Sequence, residues 1–140
     1  MHEIIFIASA SSLETMEADD NPAESYPCMS SQQIHREARA QLYALVTGEF
    51  LDEAGQMEFL DRMLSDEGPY IYQLDGQLRE SLAQLEEDQV EDLVQLWMQC
   101  GEIEDLDLDA SDLHDFTFQL IHFCQIGCND DLGVYVCSDG

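Results

Sequence analysis

The chain contains no lysine, and its 140 residues include only four arginines, Arg36, Arg39, Arg62 and Arg79. That scarcity argues against whole classes of activity. Proteins that grip nucleic acid or the anionic leaflet of a membrane set lysine and arginine against phosphate, and little of either is present. Clamping a phosphorylated substrate would draw on the same residues. Long apolar runs are missing too: nothing approaches the roughly 20 consecutive residues of a membrane-spanning helix. In the opening MHEIIFIASA, Ala8-Ser9-Ala10 has the small-residue look of a signal cleavage site. Its apolar run covers only Ile4 to Ile7, however, and Glu3 stands where a signal peptide carries positive charge. The cysteines, Cys28, Cys100, Cys124, Cys128 and Cys137, are odd in number, which a closed disulfide framework would not give. A cytoplasmic protein with reduced thiols is expected.

What fills the chain is acid. Aspartate and glutamate number 31, the net charge is -27, and 45% of residues are hydrophobic. The apolar fraction is that of a folded protein, and the length suits one domain with a single core. Charge of this size resists compaction by self-repulsion unless salt, a cation or a partner offsets it. The macromolecular partner it implies is basic.

The chain reads as α+β and predominantly helical, with about five helices between short N- and C-terminal strands that can pair. HEIIFIAS, rich in β-branched residues and too short for a helix, is the first strand. Residues 11 to 30 hold Pro22 and Pro27 without a sustained period and read as a mobile acidic loop. A first helix, capped by Ser30 or Ser31, follows the stripe Ile34, Ala38, Leu42, Leu45 and closes at Gly48. A second runs from Asp52 with Met57, Leu60 and Leu64 inward. The third stripe is Ile71, Leu74, Leu78, Leu82 and Leu85. The fourth starts near Asp88, with Val90, Leu93, Trp97 and Cys100 on one face and Gly101 as its stop. The fifth carries Leu113, Phe116, Leu120, Phe123 and Gly127, and VYVC at 134–137 closes the chain as a strand.

This layout, an apolar first strand, a helix ending in LYALVTGE, an acidic midsection and a last helix running into a short hydrophobic strand, resembles the YfbM-like family of uncharacterised bacterial proteins. The resemblance implies a small bacterial α+β domain and carries over no site and no activity.

The motifs for chemistry are thin. EIEDLDLDASDLHD, residues 102–115, holds seven carboxylates. Asp105, Asp107 and Asp109 alternate as in a calcium loop, but the glycine required at the sixth position is Ala110 and the glutamate at the twelfth is Phe116. Asp109 or Ser111 is better placed as a cap for the last helix, with Asp112 in its first turn. His122, Cys124, Cys128 and Cys137 are zinc-ligand types, yet residues two apart on a helix point to different faces and no C-x-x-C is present. Cys124 falls on the apolar face as a small buried hydrophobe. His114 and His122 share a side of the last helix without a nucleophile placed to use them. A glycosidase pair could be drawn from so many acids by chance. No cofactor, metal ligand set or catalytic residue is assigned.

The acids cluster, and two clusters flank the fourth helix: Glu86, Glu87, Asp88, Glu91 and Asp92 before and within it, and Glu102, Glu104, Asp105, Asp107, Asp109 and Asp112 beyond it. These are the candidate partner-binding residues. Trp97, Tyr70, Tyr72 and Phe50 are candidate apolar anchors, with core packing the expectation for Trp97. The function expected is that of a non-enzymatic acidic protein that neutralises a basic partner by occlusion, as an immunity-type inhibitor of a bacterial toxin does. Two alternatives are a DNA mimic that blocks a nucleic-acid-binding protein and a salt-adapted housekeeping domain or small enzyme.

Overall fold

The computed structural model describes residues 3–17, 24, 26–30, 34–66, 69–106 and 108–138. Five strands, β1 (Glu3–Ala8), β2 (Cys28–Ser30), β3 (Glu58–Met63), β4 (Tyr70–Leu74) and β5 (Gly133–Ser138), join in one sheet of order β2-β1-β5-β4-β3. Every pairing in it is antiparallel. The described residues also form seven helices: α1 (Ala10–Glu14), α2 (Arg36–Thr47), α3 (Leu51–Gly55), α4 (Gly76–Ala83), α5 (Glu87–Met98), α6 (Gly101–Glu104) and α7 (Ala110–Asp130).

The architecture is α+β, but about five helices between two short terminal strands is not what forms. Three further strands join β1 and β5, and two of them lie where helices were expected. The second expected helix is only the short α3, after which the chain extends as β3. The third is split, its first part being β4 and its second α4. Both misreadings have a physical source. Leu60 pairs with Tyr72 and Met63 with Tyr70, with a register shift between Leu60 and Arg62 that leaves Asp61 as the extra residue of a bulge. That inserted residue puts Leu60 and Met63, three apart, on one face, while of the expected stripe Met57 packs with the helix-side core and Leu64 with the opposite one. In YIYQLDGQL, Ile71 and Leu74 pack on opposite faces of the sheet. Asp75 then starts α4 by accepting a hydrogen bond from the Gln77 N–H at 3.0 Å.

The stretch 11–30 supplies most of α1 and all of β2 rather than loop alone; its residues 18–23 and 25 lie outside the described ones. Ser9 caps α1. The cap of α2 is His35 rather than Ser30, which belongs to β2, or Ser31, which lies outside the described residues. Gly48 ends α2 at φ 76°, in the left-handed region that favours glycine. Glu86 and Gln89 form a reciprocal capping box at the start of α5, and Asp109 and Asp112 form one at the start of α7. Gly101 opens α6 instead of stopping α5, whose C-cap is Gln99.

Both faces of the sheet are covered, which explains the unbroken apolar run of β1. Ile5, Ile7, Val134, Val136 and Leu74 pack under the helices with Leu42, Trp97, Leu113 and Leu120. On the other face Phe6, Ala8, Ile71, Tyr135 and Cys137 are closed over by Leu13 of α1, with Met16, Tyr26 and Leu64 at the margin. Trp97 is fully buried and donates its Nε1–H to the Ala38 carbonyl at 2.9 Å. Gly127 lets α7 meet the following turn: a Cβ there would stand 2.8 Å from the Leu132 carbonyl oxygen. Among the described residues no helix is long and apolar enough to cross a membrane.

Candidate functional site

With so little positive charge, the placement of each arginine decides what the surface can offer. Arg39 is fully buried on α2. Its Nε and Nη2 donate to the two carboxylate oxygens of Glu58 at 3.0 and 2.6 Å, a bidentate pair. Its Nη1 donates to Glu3 at 3.0 Å and to the Ile34 carbonyl at 2.9 Å. The Tyr43 hydroxyl, one helical turn along, donates to Glu58 at 2.8 Å. Burial alone would lower the Arg39 pKa, but the hydrogen bond and charge of Glu58 outweigh it and hold the guanidinium above its ordinary value. Tyr43 is pushed well above the ordinary tyrosine range, first by burial and then by the Glu58 charge, and stays neutral.

The other three arginines also turn toward the chain. Arg36 donates to the Glu58 carbonyl at 2.7 Å and lies 4.7 Å from the centre of the Tyr72 ring. Arg62 meets Asp61 at 2.9 Å and the Leu13 carbonyl at 2.8 Å. Arg79 donates to the Leu132 carbonyl at 2.7 Å. Arg36, Arg39 and Tyr43 thus fasten α2 to the start of β3.

The carboxylates divide accordingly. Glu86, Glu87, Asp88, Glu91 and Asp92 are exposed along the first half of α5. Glu104, Asp105, Asp109 and Asp112 are exposed around α6 and the start of α7, and Asp107 lies outside the described residues. The capping residues Asp109 and Asp112 serve the backbone of α7 as well as the surface. Among the described residues none of these nine exposed carboxylates has a cationic partner. Glu102 differs, being half-buried with its carboxylate 3.5 Å from Nε2 of His35. A helix of this length rises about 18 Å, so the two groups stand toward opposite ends of α5 rather than in one continuous row. A third acidic feature spans the turn between α2 and α3 and the first turn of α3. There the carboxyl of Glu53 is held above its ordinary range by a hydrogen bond to Glu49, the charge of Glu49 and that of Asp52.

Two concavities flank the start of α2. The larger, about 410 Å³, is lined by Arg36, Glu37, Ala40, Gln41, Leu51, Asp52, Gly55 and Glu102. The smaller, about 200 Å³, is lined by Glu3, His35, Arg36, Glu37, Tyr70, Tyr72 and Ser138. Arg36 and Glu37 line both, and His35, which lines the smaller, has its Nδ1 3.1 Å from Glu37. Nδ1 also faces the Ala38 N–H at 3.4 Å, so it accepts from the backbone when it carries no proton and donates to Glu37 when it does.

The sequence candidates for metal chemistry separate in space. Cys124 and Cys137 are buried while Cys128 and His122 are exposed. Burial, with the nearby Cys128, pushes the Cys124 thiol up to about 12. His114 stacks on Phe118 with ring centres 6.0 Å apart. Among the described residues no three His, Cys, Asp or Glu side chains stand close enough to hold a metal ion. Of the candidate anchors, Trp97 is core, Phe50 is 81% exposed, and Tyr70 and Tyr72 are half-buried.

Sequence reasoning missed the Arg39 network, His35, and the roles of Leu60 and Met63. The scarcity of arginine was the available signal: Arg36 and Arg39 stand one turn apart on a helix, with Ala38 and Ala40 on either side of Arg39. Nothing local marks Glu58 as their partner, because the pairing is made across the fold. Compared with family models, with curated proteins and with solved structures, the chain matches none.

Proposed function

We propose that the chain is a non-enzymatic acidic binding protein that neutralises a basic protein partner by occlusion, as an immunity-type inhibitor of a bacterial toxin. The observation that carries this reading is the inward commitment of all four arginines beside carboxylates that, among the described residues, stand exposed without a cation along α5 and around α6. Such a surface attracts a basic partner at long range and repels nucleic acid and anionic lipid. In this reading Glu86, Glu87, Asp88, Glu91 and Asp92 at one end of α5, and Glu102 to Asp112 at the other, supply the steering charge, with five free thiols that suit the cytoplasm.

The DNA-mimic alternative needs carboxylates spaced like phosphates along a duplex, and the separation of the two groups by α5 favours occlusion of a protein surface instead. The test is to mix the chain with the basic protein it retains from its native host and follow that protein's own activity. Occlusion predicts inhibition at equal stoichiometry that added DNA does not reverse. Full activity within the complex contradicts it.

A further inference from the structure

Charge brings a partner near but does not hold it through physiological salt, so the reading above needs an apolar surface. Seven large apolar side chains are exposed among the described residues: Phe50, Leu51, Phe59, Leu60, Met63, Leu96 and Phe118. Five of them fall between positions 50 and 63, at the α2–α3 turn and on β3. None lies on the first half of α5.

β3 is an edge strand: it pairs with β4 on one side, and among the described residues nothing pairs with the other. An open edge exposes a row of backbone donors and acceptors, and proteins ordinarily blunt such strands with charge, brevity or a bulge. β3 carries a bulge at Asp61 yet keeps large apolar side chains exposed. Here Leu60 is 48% and Met63 56% exposed. The bulge at Asp61 places both on the same face, opposite Tyr72 and Tyr70. Those four side chains make a largely apolar shelf along the outer margin of the sheet, on the face that elsewhere packs under the helices, with the Arg36 guanidinium over the Tyr72 ring at its inner end. The shelf runs into the 200 Å³ concavity that Tyr70 and Tyr72 share with His35 and Glu37. The Glu37 side chain, 71% exposed, supplies acid at its inner end. Asp66, exposed beyond Met63 with its carbonyl accepting from the Tyr70 hydroxyl, supplies it at the outer end.

We propose that β3 is the docking edge for the basic partner of the proposed function. The partner adds an extended segment as a sixth strand, seats alternate apolar side chains on Leu60, Met63, Tyr70 and Tyr72, and turns basic side chains toward Glu37 and Asp66. Charge selects the occupant. Two copies of a chain carrying -27 repel one another, so this edge does not serve self-association. The acidic helices then steer while the sheet edge holds.

The inference rests on the acidic-binder reading, and one experiment separates them. The full chain is titrated with two synthetic peptides of equal charge, one alternating arginine with valine and the other arginine with serine. Backbone hydrogen exchange is followed for each complex. The valine peptide is expected to bind at least tenfold more tightly near physiological salt and to slow exchange along β3. The paired surface substitutions Leu60→Ser and Met63→Ser should remove that advantage while leaving Trp97 fluorescence unchanged. If the protection falls on α5 and α7 instead, or the substituted chain still prefers the valine peptide, the docking edge is wrong. Equal binding of the two peptides also overturns it but leaves the acidic-binder reading standing. Binding of neither peptide at low salt overturns both.

Discussion

The same chemical group has opposite fates in two regions of this molecule. Under α2, Glu58 is 1% exposed and receives hydrogen bonds from Arg39 and Tyr43. Along the first half of α5, Glu87, Asp88, Glu91 and Asp92 stand exposed with no cation beside them among the described residues. A chain with four arginines has placed one, Arg39, where a bare carboxylate would be intolerable, and has set the other three largely against backbone carbonyls. A carboxylate taken out of water without a partner costs several kcal/mol, roughly, whereas one on the surface costs little individually. The α5 carboxylates are left without a cation among the described residues, and under the proposed function a basic partner relieves their repulsion.

Substitution should break this contrast most visibly on the buried side. Arg39→Ala or Glu58→Ala strands a buried charge and should cost about 3–5 kcal/mol in denaturant unfolding. Alkali acts on the same cluster. Because the Tyr43 pKa is raised by folding, its contribution is fully present below the unfolded value of about 10 and is lost as pH rises above it, by up to about 1.4 kcal/mol per pH unit. Tyr43→Phe should start less stable, having lost the bond to Glu58, yet show a shallower alkaline slope.

How far these regions were legible follows from the range of the interactions involved. The stripes of α2, α5 and α7 are local, and so are the glycine at position 48 and the cap at Asp109; each could be read along the chain. β3 and β4 could not. Met57, Leu60 and Leu64 carry a helix-like spacing, yet Met57 packs with the helix-side core, Leu64 with the core on the other face, and Leu60 stays exposed on the strand between them. Ile71 and Leu74 likewise serve opposite faces before the junction that Asp75 marks. The acidic stretches were visible as charge, but whether they form one face depends on the length of α5. Glu58 looked like any other glutamate, since its partners lie 15 and 19 residues away in sequence.

Smaller effects sharpen the comparison. Thiol labelling under native conditions at pH 8 should modify exposed Cys128 first. Half-buried Cys100 should lag, its thiol held up by burial and by Glu104. Cys124, pushed up to about 12, should react only as the chain unfolds. A reactive Cys124 in the folded chain would contradict its burial. The least effect is expected from Glu87→Gln with Glu91→Gln, within about 0.5 kcal/mol in stability and with slower association to a basic partner at low salt. A loss as large as that of Arg39→Ala would erase the distinction between the two regions.

The most direct test of the central claim is affinity capture from the native host's lysate, eluted by a salt gradient with and without competing DNA. The account predicts one basic protein that stays bound beyond roughly 0.3 M salt, where screening confines charge interactions to several ångströms, and that DNA does not displace. If nothing specific is retained at any salt concentration, the uncompensated surface is not a binding device, and the account is contradicted.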